Sequence, residues 1–298
     1  MILSDISRAS KIGFLVRDAE VSTLGKLNAL SSEGTLVFLG DKSYINAALD
    51  RRVSAVIATH DIAEAILKER ECGVLVSQNP KEDFYMLHEH LVANNYYADR
   101  FDSIISSSAH IADSAKISVN NVVINANSLI EDNVVIKAGT KIGENCIVRS
   151  GCILGNECFE VFSIKGRQKV ILHGGNLIIG NYVEIQSNST ISKGLFPGRS
   201  TVIEDEVIIA DLVHIAHGVQ IGERTMIAAG ATLSGNVSVG SDVWIGPGVI
   251  ISNGLKIGSG SYITIGSVVI SDLQENSRVS GNFAIDHSKF VKFIGRIR

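Results

Sequence analysis

The chain has 298 residues, 45% of them hydrophobic and 19% charged, with a formal net charge of −4. That composition suits a soluble globular protein of one large or two modest domains. It supplies no basic footprint, which excludes nucleic acid as a default partner. Glycine is plentiful at 28 residues against three prolines (Pro80, Pro197 and Pro247), a balance that favours many similar tight turns over a disordered chain.

The opening residues from Met1 to Arg8 lack a basic region followed by an apolar stretch. No uninterrupted apolar run is long enough to span a bilayer, so no transmembrane segment is expected and the expected location is cytoplasmic. Residues 1–101 alternate short apolar runs (35–39, 55–58 and 73–76) with helix-like stretches over 44–52, 62–70 and 82–94. This pattern predicts a small α/β domain.

From 102 to 278 a different period takes over. An aliphatic residue returns every six positions at Ile124, Ile130, Ile136, Ile142, Val148 and Leu154. It returns in the same phase from Ile203 through Ile215, Ile227, Ile245 and Ile263 to Val269. The fifth position of each hexad is small or β-branched, as at Val207, Val213, Thr225, Ala231 and Val249. A period of six fits neither an α-helix nor a two-residue alternation. It fits a triangular prism in which three hexads make one coil, so that residues 18 apart stack at about 4.8 Å.

Cys146, Cys152 and Cys158 are one hexad apart and fall on the fifth position, which predicts small interior side chains rather than metal ligands or disulfides. Between Phe159 and about Gly175 the rule lapses, which predicts a loop pushed out of a coil. It resumes at Ile179, Ile185 and Ile191 and runs through Pro197 into the long regular stretch. The tail, 279–298, interleaves Lys289, Lys292, Arg296 and Arg298 with Phe290, Phe293 and Ile297, a pattern for a brief amphipathic helix. Its basic charge suits either contact with an acidic carrier protein or a solvated surface cluster.

A β-helix has no internal cavity, so chemistry must lie on its faces, in its loops or between subunits. His214 and His217 stand out because Ile215 takes the interior slot between them, which predicts that both face outward and exposed. Transfer of an acyl group to an amine needs a base for the amine proton, a role that suits imidazole. It also needs a donor for the developing oxyanion. Gly235 lies one coil beyond His217 and leaves its N–H approachable, and Asn253 follows in the same column.

At these residues the sequence resembles the UDP-3-O-acylglucosamine N-acyltransferases of lipid A biosynthesis. The segment Ile215, Ala216, His217 falls on the family's catalytic segment, and Gly235 on its oxyanion glycine. The stretch from Val183 to Ile191, followed by Lys193 and Gly194, resembles the family's approach to that site. Phe38 and Tyr44 keep the spacing of the family's uracil site, and Asn79 with Pro80 matches its turn before a helix. Phe38 also reads as a core strand residue, and Tyr44 as packing at a helix start.

The resemblance implies a left-handed parallel β-helix, the small N-terminal domain as a nucleotide-sugar (uridine) site, a short C-terminal tail and a homotrimer. It implies catalysis by His217 and Gly235, with Phe38, Asp41, Tyr44, Asp211, His214 and Asn253 as substrate contacts. No bound cofactor or metal is implied. The co-substrate is a thioester of acyl carrier protein or CoA, and the acceptor is a nucleotide-linked amino sugar.

Several positions depart from the family pattern. Ala210 beside Asp211 replaces an aspartate seven residues before the histidine, and Leu255 replaces a second histidine. Cys158, Phe159 and Glu160 replace a Gly-Phe-Gly loop, Asp41 replaces an asparagine, and the helical tail is shorter. These departures leave open the donor, the acyl length, the sugar and the nucleotide (UDP or dTDP), with short-chain acyl-CoA transfer for O-antigen or capsule sugars as one alternative. Two other classes are a zinc hydratase resembling the γ-class carbonic anhydrases and a non-catalytic β-helix scaffold. The three-residue spacing of His214 and His217 does not match the first. The separate α/β domain counts against the second.

Overall fold

The computed structural model describes residues 1–30, 32–97, 100–281 and 287–297. Its N-terminal part is an α/β unit: α1 (Leu3–Ser10), β1 (Phe14–Arg17), β2 (Thr23–Leu24), β3 (Thr35–Leu39), α2 (Ile45–Ala48), β4 (Val53–Ala58), α3 (His60–Glu69), β5 (Gly73–Val76) and α4 (Pro80–Ala93). The sheet order is β1-β5-β4-β3-β2, with β1 antiparallel to β5 and the other pairs parallel. The three apolar runs of the sequence are its three central strands, continuous in hydrophobicity because both faces are covered.

The helix expected over 44–52 is a single turn. Asp41 caps the tight turn before it, accepting from the Ser43 N–H at 2.7 Å. The chain then bends back at once, tied by Arg70 donating to the carbonyls of Asp50 and Val53. Helix α1 and the two-residue β2 are too short to show a period, although Leu3 and Ile6 are buried, and β1 is an edge strand with Phe14 and Val16 exposed. Pro80 takes the first position of α4, where its missing N–H costs no hydrogen bond.

The rest is a left-handed parallel β-helix of hexapeptide repeats. Short strands stack into three parallel sheets, with registers such as Ile203↔Ile221, Ile209↔Ile227 and Ile215↔Leu233. The hexad aliphatics and the fifth-position residues form one continuous core. Between successive interior aliphatics sits a corner residue with positive φ, such as Asn127, Asn188, Gly218 or Asn236. Asparagine and glycine tolerate that left-handed conformation, so the corner chemistry and the core period reinforce one another.

Cys146 and Cys152 are interior, as the period predicts, but Cys158 is not. The coil has already been left when the chain reaches it, and its Sγ lies 3.4 Å from Nε2 of His173. This first excursion carries an antiparallel hairpin, Val161–Ile164 with Arg167–Val170, and Ile142 consequently pairs with Ile179.

A second excursion was hidden from the period. Ile185 pairs with Ile209, 24 positions on, although regular coils repeat after 18. A whole extra hexad around Pro197 loops out. An insertion of that length preserves the phase, so the aliphatic rhythm reads straight through it.

Both excursions fold against the N-terminal unit. Ile171, Leu195 and Phe196 join the core of Phe84, Tyr85 and Leu87. The Phe196 ring lies 5.5 Å from Phe84 and 4.6 Å from His88. Buried His88 faces the Leu172 carbonyl with Nε2 at 2.8 Å, while Glu89 accepts from the Leu172 N–H at 2.7 Å and pairs with Lys169. A C-terminal helix, α5 (His287–Ile297), fits the predicted tail helix. Arg298 and the side chains of Phe290, Phe293 and Ile297 lie outside the described residues. Among the described residues no helix is long and apolar enough to cross a membrane.

Candidate active site

His217 leaves the strand His214–Ile215 at a corner of the prism and points away from its interior. The expectation that it is exposed is wrong: it is only 7% accessible. The two excursions and the N-terminal unit cover it. Leu195, Phe196 and Arg199 from the extra hexad, with Leu24, Lys26 and Leu30, line a small pocket of about 20 Å³ at its side. Arg199 is pinned there by donating to the carbonyls of Gly218 at 3.0 Å and Asn236 at 3.1 Å.

Gly235 stacks on the imidazole. A Cβ at this position would fall 2.6 Å from His217 Nε2 and 2.8 Å from Cε1, so only glycine fits without moving the ring. The coil register that brings them together is visible in the Asn236 N–H donating to the His217 carbonyl at 2.8 Å.

The residue at the imidazole edge is Glu160, which the period did not single out as functional. Its Oε2 lies 3.6 Å from His217 Nε2. Its Oε1 accepts from Lys26 Nζ at 2.6 Å and from the Tyr85 hydroxyl at 2.8 Å. Burial works to raise the Glu160 pKa, but the Lys26 ammonium, the two hydrogen bonds and His217 outweigh it and hold the carboxyl below its usual range. For His217, burial is the dominant influence and pulls the pKa well down. Glu160 opposes that fall, whereas His173, Lys26 and Arg199 add to it. The imidazole is therefore neutral at physiological pH, the form that accepts a proton. His217 Nδ1 is buried with no hydrogen-bond partner among the described residues.

A second, larger cleft of about 460 Å³ opens beside Glu160. Phe38, Asp41, Tyr44, Lys81, Tyr85 and Phe162 line it, together with Lys26 and Glu160. Phe38 is half-buried, 5.0 Å from the Phe84 ring, and Tyr44 is exposed on the cleft wall. One part of Phe38 packs on the core, as the strand reading expects, and another lines the cleft. Lys81 lies over the Phe162 ring at 4.8 Å, and Phe162 stacks on Tyr85 at 4.9 Å.

The other expected contacts fall elsewhere. His214 lies half-buried on a flat face, its Nδ1 2.9 Å from the Thr190 hydroxyl, and burial lowers its pKa. Asp211 is exposed at the preceding corner, and Asn253 is exposed one coil past Gly235. No hydrogen bond, ion pair or ring contact links any of the three to His217 among the described residues. Leu255 packs on the prism core. Among the described residues, no three His, Cys, Asp or Glu side chains are grouped to hold a metal ion.

Fold and site together define a hexapeptide-repeat β-helix with a covered histidine at the edge of a two-part cleft. Residues 121–156 and 200–235 match the family model described as bacterial transferase hexapeptide (six repeats). Over 60 residues the chain is 52% identical to the UDP-3-O-acylglucosamine N-acyltransferase of Saccharophagus degradans, and over 59 residues 49% identical to that of Rickettsia typhi. Each match covers 20% of this chain but only 17% and 16% of the relatives, about a sixth of their length. Among solved structures, the Arabidopsis UDP-N-acetylglucosamine acyltransferase aligns over 65% of this chain and 76% of its own, at 22% identity and a TM-score of 0.47.

Proposed function

We propose that this protein is an N-acyltransferase that moves an acyl group from a carrier thioester to the amino group of a nucleotide-linked sugar. The observation that carries the reading is the stack of Gly235 on a buried, neutral His217 beside the cleft of Phe38, Asp41 and Tyr44. The sugar nitrogen attacks the thioester carbonyl, forming the C–N bond. His217 takes the amine proton, and the Gly235 N–H donates to the oxyanion. Collapse breaks the C–S bond, and the proton leaves with the thiol. No hydrogen bond from the Gly235 N–H to another described residue competes with that role.

In this reading the aromatic walls of Phe38 and Tyr44 hold the base of the nucleotide, and Lys26 and Lys81 meet its phosphates. The relatives' names favour a UDP-linked 3-O-acylglucosamine as acceptor, and this reading adds a lipid A type of pathway with acyl carrier protein or CoA as donor. A column of apolar and aromatic side chains, Ile208, Met226, Trp244 and Tyr262, runs along one flat face. It suits packing of further copies, and the assembly we propose is a homotrimer.

The test is a mass-spectrometric assay that offers UDP- and dTDP-amino sugars with acetyl-CoA, hydroxybutyryl-CoA and hydroxymyristoyl carrier protein. Wild type should add one acyl mass, and His217→Ala should lose on the order of 10²–10⁴-fold in rate while staying folded. An unimpaired His217→Ala variant would remove His217 as the base. The preferred donor decides between lipid A and short-chain pathways.

A further inference from the structure

Glu160 stands where the resembled family has the second glycine of a Gly-Phe-Gly loop, and its carboxylate lies at the imidazole edge. It is held from three directions. The first excursion closes under it through the Ile171 N–H donating to the Glu160 carbonyl at 2.9 Å. The other two holds are Lys26 at 2.6 Å and Tyr85 at 2.8 Å, both on Oε1. This leaves Oε2 aimed at His217 Nε2, at 3.6 Å. That separation is too long for a direct hydrogen bond and short enough for strong charge coupling in a covered site.

We propose that Glu160 is the fixed negative charge of this active site, a positioning residue whose free Oε2 stabilises the positive charge that arises at His217 when the base takes the amine proton. The inference rests on His217 being the base. Depressing an imidazole by burial alone yields a neutral base that is a poor one, because its protonated form is penalised as well. Glu160 offsets that penalty at the atom concerned. Lys26 sets how much of the carboxylate's charge is available, and it thereby links the cleft to the base. Among the described residues, His173 and Arg199 also act on the ring, and both oppose its protonation, while the Cys158 thiol lies against the His217 backbone.

The experiment is an NMR titration of the full-length protein with labelled histidine, in which the His217 signal is assigned by its loss in His217→Ala. It needs no turnover, so it decides the coupling even if the acyl-transfer reading fails. Glu160→Gln keeps the shape and should lower the His217 midpoint by on the order of one pH unit. Lys26→Met should move it the opposite way. In the acylation assay, Glu160→Gln should cut kcat about tenfold or more with KM little changed, and shift the acid limb of kcat in the same direction as the midpoint. If Glu160 only latches the hairpin to the N-terminal unit, Glu160→Gln lowers Tm and leaves the midpoint in place. An unmoved midpoint in either variant overturns the proposal.

Discussion

The coils from Ile203 to Val269 keep the six-residue period without a break, whereas the stretch from 156 to 200 leaves the prism twice. In the first, every rung repeats after 18 residues, and the core is one unbroken column of aliphatic and small side chains. In the second, two excursions leave the prism and join the core of another unit through Ile171, Leu195 and Phe196. A solenoid buries nothing beyond its own axis, so a surface histidine on a regular coil stays wet. His217 is buried because neighbouring loops and the N-terminal unit cover it. The regular coils supply register and stiffness, whereas the broken ones supply enclosure and charge.

This contrast can be broken at the residue where the two regions touch. Gly235→Ala places a Cβ against the imidazole, and acyl transfer should fall on the order of 10²-fold or more, as expected when a reacting group is displaced by about an ångström. Circular dichroism and Tm should barely change. A variant with normal turnover would show that the ring can move aside and that the stack is incidental.

Truncation in the regular run should do the reverse. Ile245 is fully buried in the prism, and Ile245→Ala should cost roughly 2–5 kcal/mol in a denaturant titration. The kcat of the remaining folded protein should stay near wild type. A large kcat loss there would mean that coil packing and site geometry are not separable.

A smaller effect distinguishes the seam by pH. Burial lowers the His88 pKa from the ordinary 6.5 to about 4 in the folded protein. Between those values the unfolded chain binds a proton that the folded one refuses, so stability falls as pH drops from about 6.5 towards 4. Tm measured across that window should fall less in His88→Gln than in wild type. Parallel curves would mean that His88 is not a source of the acid sensitivity.

The aliphatic hexads and the fifth-position residues were readable because each repeats its reason in every coil, whereas the corners, which include Tyr182, Glu206, Leu212 and Arg224, carry no single signature. Gly235 over His217 was readable for the same cause: stacking after 18 residues is arithmetic. The three central strands of the sheet were readable as apolar runs covered on both faces. Helix α1 and strand β1 were not: a helix of eight residues carries too little periodicity, and β1 lies at the sheet edge with Phe14 and Val16 exposed. The extra hexad at Pro197 was invisible because it kept phase, and with it went Phe196 and Arg199. Glu160 was noticed as a departure, but nothing in its neighbours in sequence points to Lys26 or Tyr85.

What the sequence determined by itself is therefore the prism, its register and the placing of Gly235 over His217, since these follow from local geometry repeated coil after coil. Tertiary structure alone decided that His217 is covered rather than exposed, that Cys158 leaves the core, and that no described contact joins His214, Asp211 or Asn253 to His217. It also decided that Glu160, Lys26 and Tyr85 meet at the imidazole edge. Burial and charge at that point come from segments far apart in the chain, 134 positions for the Lys26–Glu160 pair, and no repeat encodes contacts of that range.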